Sequence, residues 1–192
     1  MSSASISTPA RRGPAEKRAG RVDALVEATI AELREHGYEG LTVRNAARRA
    51  DVSTASAYTY FASKDHLVAE VFWRRLQLLE APTDGGTVVA RVSAALRDLA
   101  LLIAEEPELA AASTTAVLAL DPDVQRLRGR IGAAFNDHLS AALSPHPDAA
   151  VLRALNLALA GALLQAGMGY FTYAELADRM DEVAVLVLGR AR

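Results

Sequence analysis

The chain has 192 residues, 51% of them hydrophobic, a formal net charge of −2 and no cysteine. That length suits one or two domains with a real core. Without cysteine there is no disulfide, thiolate metal site or cysteine nucleophile. The balance excludes a general polyanion binder, but it is lopsided. Residues 1–80 carry 12 Lys and Arg against 10 Asp and Glu, and residues 81–192 carry 9 against 13. A local basic footprint, rather than a high overall charge, is what recognition of nucleic acid requires.

Met1 to Gly20 is poor in large apolar groups and rich in Ser, Ala, Pro and Arg. It has no apolar stretch of the kind a signal peptide needs, which predicts a cytoplasmic protein. The expectation for residues 1–20 is a mobile basic arm. Its Arg11, Arg12, Lys17 and Arg18 would touch a phosphate backbone or minor groove, or the segment is a plain tail. From Arg21 onward, Val22, Leu25, Val26, Thr29, Ile30 and Leu33 repeat at helical spacing, and Gly37 stops the pattern.

Leu41 to Leu67 is the most informative segment. It predicts a helix, a tight turn, a short second helix and a capped third one. Ala46, Ala47 and Ala50 give the small face that a close helix crossing needs, with Val52 as the apolar plug after the turn. Thr42 and Ser53 are suitable N-caps. Ala57 and Phe61 point inward at i and i+4, leaving Thr54, Ala55, Tyr58 and Thr59 on the opposite face. By spacing alone, this is either a helix-turn-helix unit or an ordinary helical hairpin with a polar outer face.

From about Arg21 to Val71 the chain resembles the N-terminal domain of the tetracycline-repressor (TetR) family of bacterial transcription regulators. The residues that carry the resemblance are Val52-Ser53, then Tyr58-Thr59-Tyr60-Phe61, then Ser63-Lys64-Asp65 and Leu67. Departures occur at Asp51, where the family pattern has glycine, at Ala46 for isoleucine, and at Ala55 and Ala57 for glycine and leucine. The resemblance implies phosphate contacts from Thr42, Tyr60 and Lys64. It also implies contacts to base edges or nearby phosphates from Arg44, Thr54, Ala55, Ser56, Tyr58 and Thr59. Arg44 is the best candidate for direct readout, because a guanidinium can bridge guanine O6 and N7. Arg48 and Arg49 are either part of this surface or a solvated helix face.

A fourth helix is expected from Ser63 to Ala81, carrying Leu67, Val71, Trp73 and Leu78, and the run from Pro82 to Gly86 breaks it. The expected division is a DNA-binding domain over 21–81 and a helical domain over 82–192. Five more helices follow, Thr87 to Glu105, Pro107 to Leu120, Pro122 to Leu143, Pro147 to Met168 and Tyr173 to Arg190. Pro107, Pro122 and Pro147 stand where first-turn prolines belong and Asp121 is a ready cap. No segment alternates as a strand does, so the fold class is all-α. In the family the resemblance points to, the C-terminal domain binds a ligand and dimerises.

Ala149 to Met168 is almost wholly apolar and long enough to span a membrane. Arg153, Asn156 and Gln165 would be costly in lipid, so no membrane is expected. A helix apolar on all sides must instead be buried on all sides. This predicts a homodimer through the last two helices. The resemblance adds double-stranded DNA as partner, and a dimer of groove-reading heads implies a palindromic operator with two half-sites about one turn apart. Aromatics make up only 5% of the chain, and Ala and Leu dominate the fifth to seventh helices, which predicts an apolar cavity for an apolar or amphipathic effector. Thr114, Thr115, Asn136, His138, Asn156, Gln165 and Tyr170 are its candidate polar anchors. His36, His66, His138 and His146 show no metal-ligand spacing, and there is no phosphate-binding loop or nucleophile elbow. No catalysis, metal or cofactor is therefore expected. The alternative function is a helical interaction module without sequence-specific DNA binding.

Overall fold

The computed structural model describes residues 13–82 and 86–189, and every regular element among them is helical. The elements are α1 (Pro14–Gly40), α2 (Val43–Arg49), α3 (Thr54–Tyr60), α4 (Lys64–Leu76), α5 (Val88–Leu101), α6 (Pro107–Val117), α7 (Pro122–Ala142), α8 (Ala149–Gly167) and α9 (Tyr173–Gly189). Short polar side chains start most of them. Thr42, Ser53, Ser63 and Thr87 each accept from the backbone amide three residues on, at 3.0, 3.2, 3.1 and 3.2 Å. Asp121 accepts from the Asp123 amide at 2.8 Å and Asp148 from the Ala150 amide at 2.7 Å. Each such cap stabilises its helix by about 1 kcal/mol.

The first helix departs from expectation. It starts at Pro14, so Lys17 and Arg18 lie on a helix rather than in an arm. Proline at the first position, and Glu16 accepting from the Gly13 amide at 3.0 Å, nucleate this earlier start. Arg11 and Arg12 lie outside the described residues. Gly37 does break the helix, at φ 65°, although helical turns resume as far as Gly40. The fourth helix is shorter than expected. It ends at Leu76, and Leu78 is 74% exposed, so Leu78 takes no part in the core face. Pro147 precedes the cap Asp148 and is not a first-turn residue, unlike Pro107 and Pro122.

Leu25, Leu33, Leu41, Ala46, Ala47, Ala57, Phe61 and Leu67 close around the N-terminal helices. The same apolar cluster continues through Phe72 and Leu76 into Leu96, Leu99, Leu109, Leu139, Leu155, Leu159 and Leu176. Helix α4 is therefore the shared wall, packing on α1 on one side and on α6 and α7 on the other. Helices α5, α8 and α9 complete the C-terminal bundle. Helix α8 turns Leu155, Leu159, Ala162 and Ala166 inward, while Leu157 is 75% and Met168 61% exposed.

Candidate nucleic-acid interface and apolar cavity

The turn between α2 and α3 depends on Asp51, which sits at φ 53°. That left-handed conformation costs most L-residues about 1–2 kcal/mol, and Asp as a residue type tolerates it better because its short polar side chain can bond locally. It lets the Val52 amide reach back to the Ala47 carbonyl at 3.0 Å. Ala46, Ala47 and Ala57 have no exposure, and Phe61 is buried at the end of α3. The small side chains at 46 and 57 allow the two helices to cross closely.

With those residues inside, α3 presents Thr54, Ala55, Tyr58 and Thr59 to solvent. Tyr58 is 53% exposed, a large aromatic placed on an otherwise small, polar face. Thr59 donates to the Ala55 carbonyl at 3.0 Å, which ties its hydroxyl to its own helix. Ser56 is half-buried beside the cap, with its hydroxyl 2.8 Å from that of Ser53. Thr42 and Arg44 are exposed on α2, and neither Arg44 nor Arg48 has an ion-pair partner among the described residues.

Arg49 is different. Its Nε donates to the buried Glu32 at 2.7 Å and its Nη1 to Glu35 at 2.9 Å. The guanidinium holds the Glu35 carboxyl below the usual carboxylate range. Arg49 thus ties α2 to α1; both arginines are exposed, and of the pair only Arg48 has no ion-pair partner among the described residues. Nearby, His36 Nδ1 stands 3.3 Å from Glu32 Oε2 without hydrogen-bond alignment.

Tyr60 and Lys64 are half-buried and already engaged. The Arg18 guanidinium lies 5.7 Å from the centre of the Tyr60 ring. Lys64 Nζ donates to the Tyr38 carbonyl at 3.0 Å and stands 4.0 Å from the centre of the Tyr38 ring. The Tyr38 hydroxyl in turn donates to Asp65. Burial, reinforced by that carboxylate, pushes the Tyr38 phenol up. Tyr38 positions the first turn of α4, a role sequence reasoning missed. The signal was available in the aromatic that follows Gly37 and in the adjacent Lys64-Asp65 pair.

Two polar links join this head to the C-terminal bundle. The Ser63 hydroxyl donates to Asp121 Oδ2 at 2.6 Å, so the caps of α4 and α7 are bonded to each other. That bond holds the Asp121 carboxyl below its ordinary range. Glu106, at the start of α6, receives Arg34 of α1 at 3.1 Å and Arg75 of α4 at 2.5 Å.

Between α4, α6, α7, α8 and the start of α9 lies an apolar cavity of about 500 Å³, within the range of small-molecule sites. Phe72 and Phe135, whose rings are 6.4 Å apart, form one wall. Ile131, Val117, Leu163 and Gly161 line the interior, with Leu118, Leu157 and Leu164 at exposed positions of the lining. Of the seven residues singled out as anchors, Thr114 lines this cavity. Thr115, Asn136, Gln165 and Tyr170 are exposed and do not. Asn156 donates to the Leu152 carbonyl at 2.9 Å on its own helix. His138 is buried elsewhere on α7, with desolvation pushing its imidazole below the ordinary value.

Tyr173 and Ser113 are the polar lining residues that sequence reasoning missed. Tyr170 and Tyr173 stand on either side of the turn into α9, and only the register of that turn decides which faces inward. Ser113 and Thr115 flank Thr114, so helix phase alone selects the inner pair.

These features define a helix-turn-helix protein with a helical C-terminal bundle. Residues 25–71 match the model of the bacterial regulatory proteins of the tetR family. The chain is 45% identical over 170 residues to an uncharacterized HTH-type transcriptional regulator of Mycobacterium tuberculosis, covering 87% of this chain and 80% of that protein. It is 30% identical over 125 residues to the HTH-type transcriptional repressor KstR of Mycolicibacterium smegmatis, covering 62% and 61%. A crystal structure of a TetR transcriptional regulator from Rhodococcus sp. RHA1 superposes with a TM-score of 0.74 at 21% identity, over 91% of this chain and 98% of that one. The protein belongs to the TetR family of transcriptional regulators.

Proposed function

We propose that the protein is a homodimeric repressor that reads a palindromic operator and is released by a small molecule in the apolar cavity. The single observation that carries this is the joining of two features by α4. The outward face of α2 and α3 lies at one end of that helix, and Phe72 of the same helix lines the cavity. The repressor kinship of KstR supports the sign of regulation.

Residues 21–81 serve as the DNA-binding domain and 82–192 as the ligand-binding and dimerisation domain, in the cytoplasm. Arg44, Thr54, Ala55, Tyr58 and Thr59 specify the site through base edges, with Ser56 at their margin. Thr42, Tyr60 and Lys64 position the head through phosphates. Lys64 sits at the first position of α4, where free backbone amides add to its attraction for a phosphate. Dimerisation uses α8 and α9, whose outward faces carry Leu157, Val185 and Leu186, with the exposed Met168 capping the end of α8. Two heads read two half-sites about one helical turn apart. Thr114 anchors the effector.

A ligand with unequal affinity for the two head spacings shifts the population between them and thereby releases DNA. The test is selection of bound duplexes from a random library, followed by titration of small molecules against the selected site. A palindromic consensus that the protein leaves when the cavity is filled is the expected result. Recovery of no consensus would instead favour an interaction module without sequence-specific DNA binding.

A further inference from the structure

Among the described residues, the walls of the 500 Å³ cavity contain no ionisable acid or base apart from the phenol of Tyr173, and burial pushes that phenol up, keeping it neutral. Its polar groups gather in one place. The Thr114 hydroxyl and the Tyr173 hydroxyl both reach the Ala110 carbonyl, at 3.3 and 3.4 Å. These are long contacts, and two donors share one acceptor. Beside them Ser113, 4% exposed, has a hydroxyl oxygen with no hydrogen-bond partner among the described residues. A helical serine ordinarily satisfies itself on the carbonyl four residues back, and here it does not. The cations Arg34 and Arg75 line a separate cavity of about 250 Å³ that meets the first only at Ile103, and both are paired with Glu106.

Taking the cavity as the effector site, we propose that its ligand is uncharged. It is a predominantly apolar molecule with one hydroxyl or carbonyl group, seated at the Ser113, Thr114 and Tyr173 cluster. The reason is desolvation. An ionised group moved into this lining loses its water and meets no opposite charge, whereas a neutral oxygen loses less and gains the under-used hydroxyls. An apolar body of matching size fills the Phe72, Phe135 and Leu163 walls.

The experiment uses the full chain and Nile red, a neutral fluorescent dye, displaced by 1-decanol, 2-decanone, decanoate or decylammonium. Gly161→Phe is designed to put a ring into the cavity that Gly161 lines, where an added Cβ meets nothing within 4 Å. Ala160→Phe gives a second block should the first misfold, as judged by circular dichroism. We expect the dye to bind the wild type and neither blocked variant. The alcohol and the ketone should displace it at concentrations at least tenfold below those of the two ions. Tyr173→Phe and Thr114→Val, which change little but a hydroxyl, should weaken 1-decanol roughly threefold to tenfold. Displacement by decanoate or decylammonium as strong as by 1-decanol overturns the ligand class and leaves the cavity as effector site. Dye that fails to bind the wild type, or binds the blocked variants equally, overturns both.

Discussion

Asp51 is the residue at which the chain leaves its family's pattern most visibly, and the backbone explains how it does so. The position is left-handed, which favours glycine, and Asp is among the few L-residues that tolerate it. Asp51→Ala should therefore cost about 1 kcal/mol. Asp51→Gly should stay within about 0.5 kcal/mol of the wild type, because relief of strain is offset by backbone entropy. Urea denaturation of the two variants checks this, and equal losses would remove the backbone explanation.

His138 makes a second prediction at this scale. Burial lowers its folded-state pKa, with Asp98 opposing. The unfolded chain takes up the proton near its ordinary value of about 6.5, while the folded chain resists it. Its contribution is therefore intact above that pH and declines as the pH falls below it. His138→Leu should flatten the stability profile between about pH 7 and pH 5, relative to wild type. Asp121 acts in a different window. Its carboxyl is lowered, so its stabilisation is full above the ordinary carboxylate range and is lost in stronger acid. The inward residues Ala57 and Phe61 and the caps Thr42 and Ser53 were legible in the sequence because each follows from local helix spacing. The partners of Lys64 and Arg49 were not, since they lie 26 and 17 residues away and depend on how α1 packs.

Among elements, the link between α4 and α7 is the most testable. Ser63 and Asp121 each cap their own helix and also bond to each other across 58 residues of sequence. Ser63→Ala and Asp121→Ala should each cost about 1 kcal/mol through the lost cap. The double variant should cost less than the two together, with a coupling of about 0.5–3 kcal/mol. Thermal denaturation of the four proteins measures it. Strict additivity would mean that the two caps act independently. Nine helices among the described residues correspond to nine expected ones, because proline, capping residues and apolar periodicity mark helices locally. The ends of α1 and α4 were less legible. Pro14 starts a helix in a segment whose composition suggests a tail, and α4 ends at Leu76 although apolar residues continue to Leu79, which packs half-buried on the core from outside the helix.

At the scale of the whole molecule, α8 poses a question of burial. It is long and apolar enough to cross a membrane by length and composition, and only 17% of that stretch is buried within one chain. Its inner face packs in the helical bundle, and the homodimer proposed above would cover its outer face. Leu186→Arg, outside the cavity lining, should give monomers in sedimentation velocity and weaken binding to a palindromic duplex far more than to a half-site. A dimer that survived this change would place the interface elsewhere.

In the proposed function the exposed face of α2 and α3 reads DNA, with Lys64 holding the backbone. Fluorescence anisotropy of a selected operator duplex, titrated from low to moderate salt, tests it most directly. Lys64→Ala should weaken every sequence about equally and flatten the logarithmic salt slope by roughly one unit per subunit. Arg44→Ala should instead erode the preference for the operator by about 1–3 kcal/mol and leave binding to unrelated duplexes nearly intact. Affinity, slope and preference that match the wild type in both variants and in Tyr58→Ala would contradict the assignment of this face.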